Sequence, residues 1–439
     1  PLPRRATLWA AATYALAALA LGWPALVGKF LVNPRSDQFI AGYAFRGYAG
    51  TTLKAGEGFP LWNPYLFGGM PYVAAMHGDI FYPTFLLRMI LPTDVAMTWS
   101  FMIHAFLAGF FTYGFLRAWG LGFLPSLIGG VAYLMGGPIA AYVSPGHDGK
   151  LYIGALFPLA LWLLLFGIRD GRSWAWGALS LVVGLAVLSP HPQLLQYMLL
   201  GCGAFALYIA FAGAQTPNGD IVRLERSVAL KRLGLALGAV ALGGLMGAIQ
   251  YLPVREYVPF SPRSGGREYE FATQYSFPIE ELFNTYLPQF SGILNSYWGR
   301  NNIHLHSEYL GAVALFLAGA GLKSGRRGFR WFWIGTLIVS TLWALGQYTP
   351  FYRLIYAVVP GTPYFRAPST MIFIAAFSVA VLAALGTERL LAGKVSRTYA
   401  LGWLGFGLAV ALLASVGALT NMSKVIANSW AGEYQMTLI

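Results

Sequence analysis

The 439 residues are 57% hydrophobic and only 10% charged, against about 25% charged in an ordinary soluble domain. That balance excludes a disordered chain, a coiled coil and a soluble enzyme with a normal polar surface. A net charge of +13 would point a soluble protein towards nucleic acid, but here the apolar residues come in long blocks, so the question is which side of a membrane holds the charge.

Eleven apolar blocks are expected to be membrane-spanning helices: 7–28, 95–116, 122–142, 151–168, 174–190, 194–213, 233–251, 308–322, 331–347, 369–386 and 399–419. The expected fold is an all-α polytopic integral membrane protein, with one transmembrane domain over 1–439. The first block follows Arg4 and Arg5 without a small-residue cleavage site, so it reads as a retained span. The blocks near 151 and 308 are short, at the lower limit for crossing. Cys202 is the only cysteine and lies in an apolar block, which excludes an intrachain disulfide and a cysteine metal cluster.

With the N-terminus cytoplasmic, the inner segments fall at 1–6, 117–121, 169–173, 214–232, 323–330 and 387–398. They hold 16 Lys/Arg but only Asp170, Asp220, Glu225 and Glu388 as acids. The outer segments are about three times longer yet hold the other 13 basic residues and 12 acids. The positive-inside rule therefore sets the orientation, and the basic balance needs no nucleic-acid partner. Lys323, Arg326, Arg327 and Arg330 read as topogenic. No GxxxxGK[ST] phosphate loop is present. The outer loops 29–94 and 252–307 are long and rich in aromatics, Pro and Gly. Short interfacial helices are expected in them over 37–54 and 279–290.

The candidate functional residues sit on this outer side. Asp37, in Asn33-Pro34-Arg35-Ser36-Asp37-Gln38, is a carboxylate that stays ionised beside Arg35 and suits removing a proton from a sugar or lipid hydroxyl. It equally suits capping the helix that follows. Trp62 and Asn63 lie in a run of Pro, Gly and aromatics whose flat faces suit sugar rings or the membrane interface. Asp79 is a second carboxylate candidate. His147, Asp148 and Lys150 fall within four positions, a set fit for a divalent ion or a phosphate, or for a polar turn closed by its own salt bridges. His191, in a tight outer turn, could touch substrate but reads first as a structural turn residue. His304, His306 and Glu308 form a weak metal pattern, and Arg255, Arg263 and Arg267 read as loop structure. Arg353 and Arg366 precede the tenth block. Arg366, between Phe365 and Ala367-Pro368, suits gripping a lipid phosphate, or snorkelling from a helix end.

At these residues the chain resembles the YfhO family of bacterial membrane proteins. The motifs are Ser36-Asp37, Pro60-Leu61-Trp62-Asn63-Pro64 with Gly68-Gly69-Met70-Pro71, and Pro360-Gly361 with Phe365-Arg366-Ala367-Pro368. The resemblance runs from about 7 to 386, and its Trp-Asn-Pro…Gly-Gly-Met-Pro block is the specific part. It implies a GT-C-like fold with long extracytoplasmic loops, and sugar transfer from a polyprenyl-phosphate donor to an extracytoplasmic acceptor. The setting would be the bacterial cytoplasmic (inner) membrane. By position, Asp37 would be the catalytic acid of the first outer loop. Asp79 and the His147-Asp148 pair would be the second acidic site, with Mg or Mn as candidate divalent cation on Asp148, His147 and Asp79. Arg366, Arg353, Lys150, Trp62 and Asn63 would bind substrate or phosphate. The expected partners are membrane lipids, the lipid-linked sugar and other membrane proteins. Family members are often longer, so the resemblance implies either an extension beyond Ile439 or a trimmed member. The alternative functions are a non-catalytic accessory subunit or scaffold of a membrane complex, and a transporter or flippase. The latter is disfavoured by the scarcity of ionisable residues within the spans.

Overall fold

The computed structural model describes residues 5–33, 36–262 and 264–436; Arg4, Arg35 and Arg263 lie outside them. Every apolar block falls on a helix. These are α1 (Ala6–Leu21), α3 (Thr93–Trp119), α4 (Phe123–Leu134), α5 (Asp148–Leu164), α6 (Trp174–Leu188), α7 (Pro192–Phe211), α8 (Arg226–Met246), α9 (Ala312–Gly321), α10 (Arg327–Ala344), α11 (Ile372–Leu391) and α12 (Arg397–Ser415). Further helices of ten or more residues are α2 (Tyr43–Lys54), in the first long loop, the helix Ala248–Tyr257, and α13 (Ala418–Met436). A π turn over Leu165–Arg169 prolongs α5. Two antiparallel ladders complete the set: β1 (Trp62–Asn63) with β2 (Met70–Pro71), and β3 (Ala214–Gln215) with β4 (Ile221–Val222).

The chain is thus a multi-pass helical membrane protein. Six helices are long and apolar enough to cross a bilayer alone: those over Thr93–Trp119, Asp148–Arg169, Pro192–Phe211, Arg226–Met246, Pro368–Leu391 and Arg397–Ser415. A seventh span is made if α4 and the segment Gly137–Val143, bent 52° from it, cross together. The bend follows from Gly136 and Gly137, with Pro138 starting the second piece. Helices α1, α6 and α9 are apolar but shorter. Eleven helical segments are therefore present, and length supports six or seven of them as independent crossings.

Helix α11 is the centre of the bundle. All of Ile372–Thr387 is buried, against α9, α4 and α10. Its tightest neighbour is α9, because the two helices meet at Gly321 and Gly386. A Cβ on Gly386 would collide with the Leu317 carbonyl, and one on Gly321 with the Leu382 carbonyl. Small residues let membrane helices approach to backbone contact, where packing replaces the missing hydrophobic drive. Below them Trp119 stacks on Phe329 at 4.0 Å, and Trp333 meets Phe377 edge-on at 5.1 Å. By contrast, no residue in the apolar window of α12 is buried, so that helix presents Leu404, Leu408 and Leu412 outward.

Charged groups collect at the two ends of the bundle. At one end Arg326 pairs with Glu388 at 2.7 Å and donates to the Gly120 carbonyl at 3.0 Å. There too Arg169 donates to the Ala118 and Gln215 carbonyls at 2.8 and 2.6 Å. Arg326, read from sequence as topogenic, also fastens α11, the β3–β4 hairpin and the end of α3. The other end carries Asp37, Asp79 and the long outer loops.

Replacing Gly386 with Leu is expected to lower stability by about 1–3 kcal/mol or to block folding, as overpacking does. The thermal midpoint of the detergent-purified protein measures it.

Candidate active site

The first outer loop returns to the bundle through α2. This helix buries Phe45, Arg46, Ala49 and Gly50, and Tyr72 stacks on Phe45 at 4.3 Å while donating to its carbonyl at 3.1 Å. Arg46 is thereby carried into the interior with 4% exposure. A buried guanidinium needs anionic partners. Arg46 Nη2 lies 2.7 Å from Asp148 and Nε 3.4 Å from Asp79, and Nη1 donates to Gln38 Oε1 at 3.2 Å. Gly42 makes room for this arrangement, since a Cβ there would sit 2.8 Å from Arg46 Nη1. Asp79 also pairs with buried Arg88 and accepts from the Tyr152 hydroxyl at 3.2 Å. Two arginines and two aspartates thus form a neutral, closed cluster. The guanidiniums hold the Asp79 carboxyl below the usual range although burial alone would raise it.

In front of the cluster the turn Ser144–Lys150 meets the Asp37 segment. The Asp37 N–H donates to the Pro145 carbonyl at 2.9 Å and Gln38 Nε2 to the Gly146 carbonyl at 3.2 Å. Gly146 has φ +78 and abuts Gln38, so only glycine fits there. This docking sets His147 Nε2 3.1 Å from Asp37 Oδ2. Asp37 does not cap the helix with its side chain; the Ser36 hydroxyl accepts from the Phe39 N–H instead. The Asp37 carboxylate is 66% exposed. The hydrogen bond from His147 holds its pKa below the usual value.

His147 Nδ1 faces His306 Nε2 at 3.1 Å, and Lys150 Nζ lies 3.4 Å from that same nitrogen. Burial, then Lys150, pushes His147 down to about 4 and His306 well below its ordinary value, so both rings are neutral at pH 7. An ionised Asp37 only accepts, so His147 carries its proton on Nε2 and receives one from His306 on Nδ1. His306 Nε2 is then a donor and takes no hydrogen from Lys150. The Lys150 residue is 5% exposed, and among the described residues no carboxylate lies within 4 Å of its Nζ.

These groups line one cavity of about 650 Å³. Asp37, His147, Asp148, Lys150 and Arg366 all reach it. Arg366 packs over Tyr275 at 5.3 Å, while its carbonyl accepts from Gln193 Nε2 at 2.6 Å. Asp79 lies behind Arg46 and is not on the wall. Three candidates sit elsewhere: Arg353 over Tyr269 at 5.5 Å, and Trp62 and Asn63 in the β1 ladder, where Asn63 Oδ1 accepts from the Tyr65 N–H.

The far wall holds Glu281, His304 and Glu308. His304 and His306 face different partners: His304 Nε2 meets Glu308 at 2.9 Å. Burial pushes Glu281, which accepts from Tyr297 at 2.6 Å, up to about 7. For His304, burial lowers the pKa but the Glu308 carboxylate outweighs it and raises it to about 9.

The donor set at Asp148, His147 and Asp79 does not suit a divalent cation. Both carboxylates face guanidiniums and His147 faces Asp37; among the described residues no three His, Cys, Asp or Glu side chains group as metal ligands.

Sequence reasoning did not single out Arg46, Arg88 or Glu281. The one signal for Arg46 is its place on the Phe45–Ala49–Gly50 face of α2, which the 3.6-residue period makes the buried one.

No family model matches the chain, and no curated protein matches it. Among solved structures it is similar to the archaeal oligosaccharyltransferase AglB from Archaeoglobus fulgidus, in complex with an inhibitory peptide and a dolichol-phosphate. The TM-score is 0.40 and the identity 14%, over 96% of this chain and 56% of that one. The chain thus spans about half the length of that structure, and a likeness at this level carries no argument about the reaction.

Changing Asp79 to Asn strips the buried Arg88 of its counter-charge and is expected to cost about 3–5 kcal/mol, read as a lowered thermal midpoint. A raised histidine pKa stabilises most below the unfolded value of 6.5 and loses its effect as pH climbs through about 9. The midpoint should therefore fall between pH 6.5 and 9.5, and His304→Gln should flatten that fall.

Proposed function

We propose that the chain is a GT-C-type membrane glycosyltransferase that moves a sugar from a polyprenyl-phosphate donor to an acceptor hydroxyl at the Asp37 face. The observation that carries this reading is the cavity itself. It holds an exposed, ionised Asp37 together with the buried Lys150 amine and the Arg366 guanidinium. A general base and basic side chains in one cavity are what transfer from a phosphate leaving group needs. The motif resemblance to the YfhO family supports the donor class.

In the proposed reaction Asp37 takes the proton of the acceptor hydroxyl as its oxygen bonds to the anomeric carbon. The bond from that carbon to the phosphate oxygen breaks, and the electron pair leaves with the polyprenyl phosphate. Lys150 and Arg366 face the developing negative charge. His147, held by His306, keeps the Asp37 carboxylate oriented. Displacement in one step inverts the anomeric centre. No step is routed through a metal. The setting is the bacterial cytoplasmic membrane with the N-terminus inside; the dense Lys/Arg end opposite the cavity supports that orientation.

In membranes supplied with lipid-linked sugar, Asp37→Asn should reduce transfer about 10²–10⁴-fold, the usual worth of a general base. Full transfer by that variant overturns the assignment. Because the Asp37 pKa is lowered, the base stays ionised on acidification from pH 7 to 5. The rate attributable to it should be flat there and fall only below the ordinary carboxylate value of 3.8. Lys150→Met should weaken use of the lipid-linked donor more than use of the acceptor, seen as a split between the two KM values.

A second reading has one observation in its favour. Helix α12 has no buried residue in its apolar window, as suits a subunit whose partner covers it. Purification as a stoichiometric complex with α12 occluded and no transfer by the unmodified protein would replace the enzyme with an accessory subunit.

A further inference from the structure

A second large cleft lies at the opposite end of the bundle. Its volume is about 850 Å³, and it opens between the start of α1, the end of α3 and the end of α5. Two helices build it with the same pattern. On α3, Phe110, Tyr113 and Arg117 line the cleft; on α5 and its π turn, Trp162, Phe166 and Arg169 do. Spacings of three and four residues put each trio on one helical face. At 1.5 Å per residue the aromatic start of each trio lies about 10 Å deeper along the helix than its arginine.

The cleft is therefore graded, with guanidiniums at the rim and rings towards the middle of the bundle. Arg172 joins the rim, half exposed and 4.4 Å over the Phe166 ring. The one carboxylate of the lining is Asp170, held by Arg169 at 2.6 Å and by Arg172 at 3.7 Å. Three arginines against one aspartate leave an excess of two positive charges. Gly114 lets the Trp162 ring into the wall, since a Cβ there would overlap it. Trp162 Nε1 is buried without a hydrogen-bond partner among the described residues, and an unmet buried donor is costly.

We infer that this cleft is a binding site for an anionic phospholipid of the leaflet opposite the active cavity. Its phosphate would sit at Arg117 and Arg172 and its acyl chain would lie against Phe110 and Trp162. A phosphate ester fits the guanidinium rim, where charge-assisted bonds are strongest. A small soluble anion would satisfy the rim and leave the aromatic wall empty, so a lipid suits the whole surface better.

The test uses the full chain in detergent, with phosphatidylglycerol or phosphatidylcholine added and bound lipid counted by native mass spectrometry. Retention of phosphatidylglycerol over phosphatidylcholine is expected, and Arg117→Gln/Arg172→Gln should weaken it at least about tenfold, more than the loss of one charge-assisted contact alone. Arg172→Gln alone, at a half-exposed side chain, guards against misfolding and should give a smaller loss in the same direction. An unchanged thermal midpoint without lipid shows that the variants are folded. Equal retention of both lipids overturns the site. So does equal binding by wild type and double variant, or full displacement by millimolar inorganic phosphate, which would make the ligand a soluble anion.

Discussion

The cavity end of the molecule depends on the Arg46 guanidinium. It is buried, so it must find negative charge, and the two carboxylates it finds come from segments far apart in the chain. Asp79 belongs to the first outer loop and Asp148 to the start of α5. Meeting both pins α2 against the bundle, and Arg88 closes the set from the other side of Asp79. The closure gives local neutrality. Breaking it leaves a charge in a medium where water cannot compensate, which is why such clusters hold their geometry.

That closure organises the site by elimination. Asp79 and Asp148 are committed to guanidiniums, so Asp37 is the exposed carboxylate among these three. His147, one residue before Asp148, is delivered to Asp37 by the same turn whose carbonyls hold the Asp37 and Gln38 nitrogens. Lys150, one helical step further, is carried inward on α5 to His306. The carboxylate, the imidazole pair and Lys150 share one cavity because one turn and α2 are fastened together behind it. The proposed chemistry rests on this contrast between a neutralised rear wall and an unbalanced front.

The two ends of the bundle use basic residues differently. At the cavity end Arg46 and Arg88 meet acids, and Arg353 and Arg366 lie over rings. At the other end arginines cap helix ends and tie loops: Arg326 reaches Glu388 and Gly120, and Arg169 reaches Ala118 and Gln215. Fastening leaves an excess of positive charge there, and with the aromatic rows of α3 and α5 that excess shapes the second cleft.

The sequence by itself determined what depends on composition and local period. The eleven apolar blocks, a helical segment within 37–54 and the separation of charge between two faces were all legible, because hydrophobic length and helical spacing are properties of contiguous residues. Asp37, His147, Lys150 and Arg366 were legible as isolated polar groups in a charge-poor chain. Tertiary structure decided which of them meet. His306 and Lys150 are 156 residues apart, and His147 and Asp37 110, separations across which no local pattern carries information. It also decided that Asp79 and Asp148 face arginines, that Trp62, Asn63 and Arg353 stand apart from the cavity, and that Glu281 joins it. In an apolar bundle a charge is placed by its need for a counter-charge, and that partner is fixed only when the helices pack.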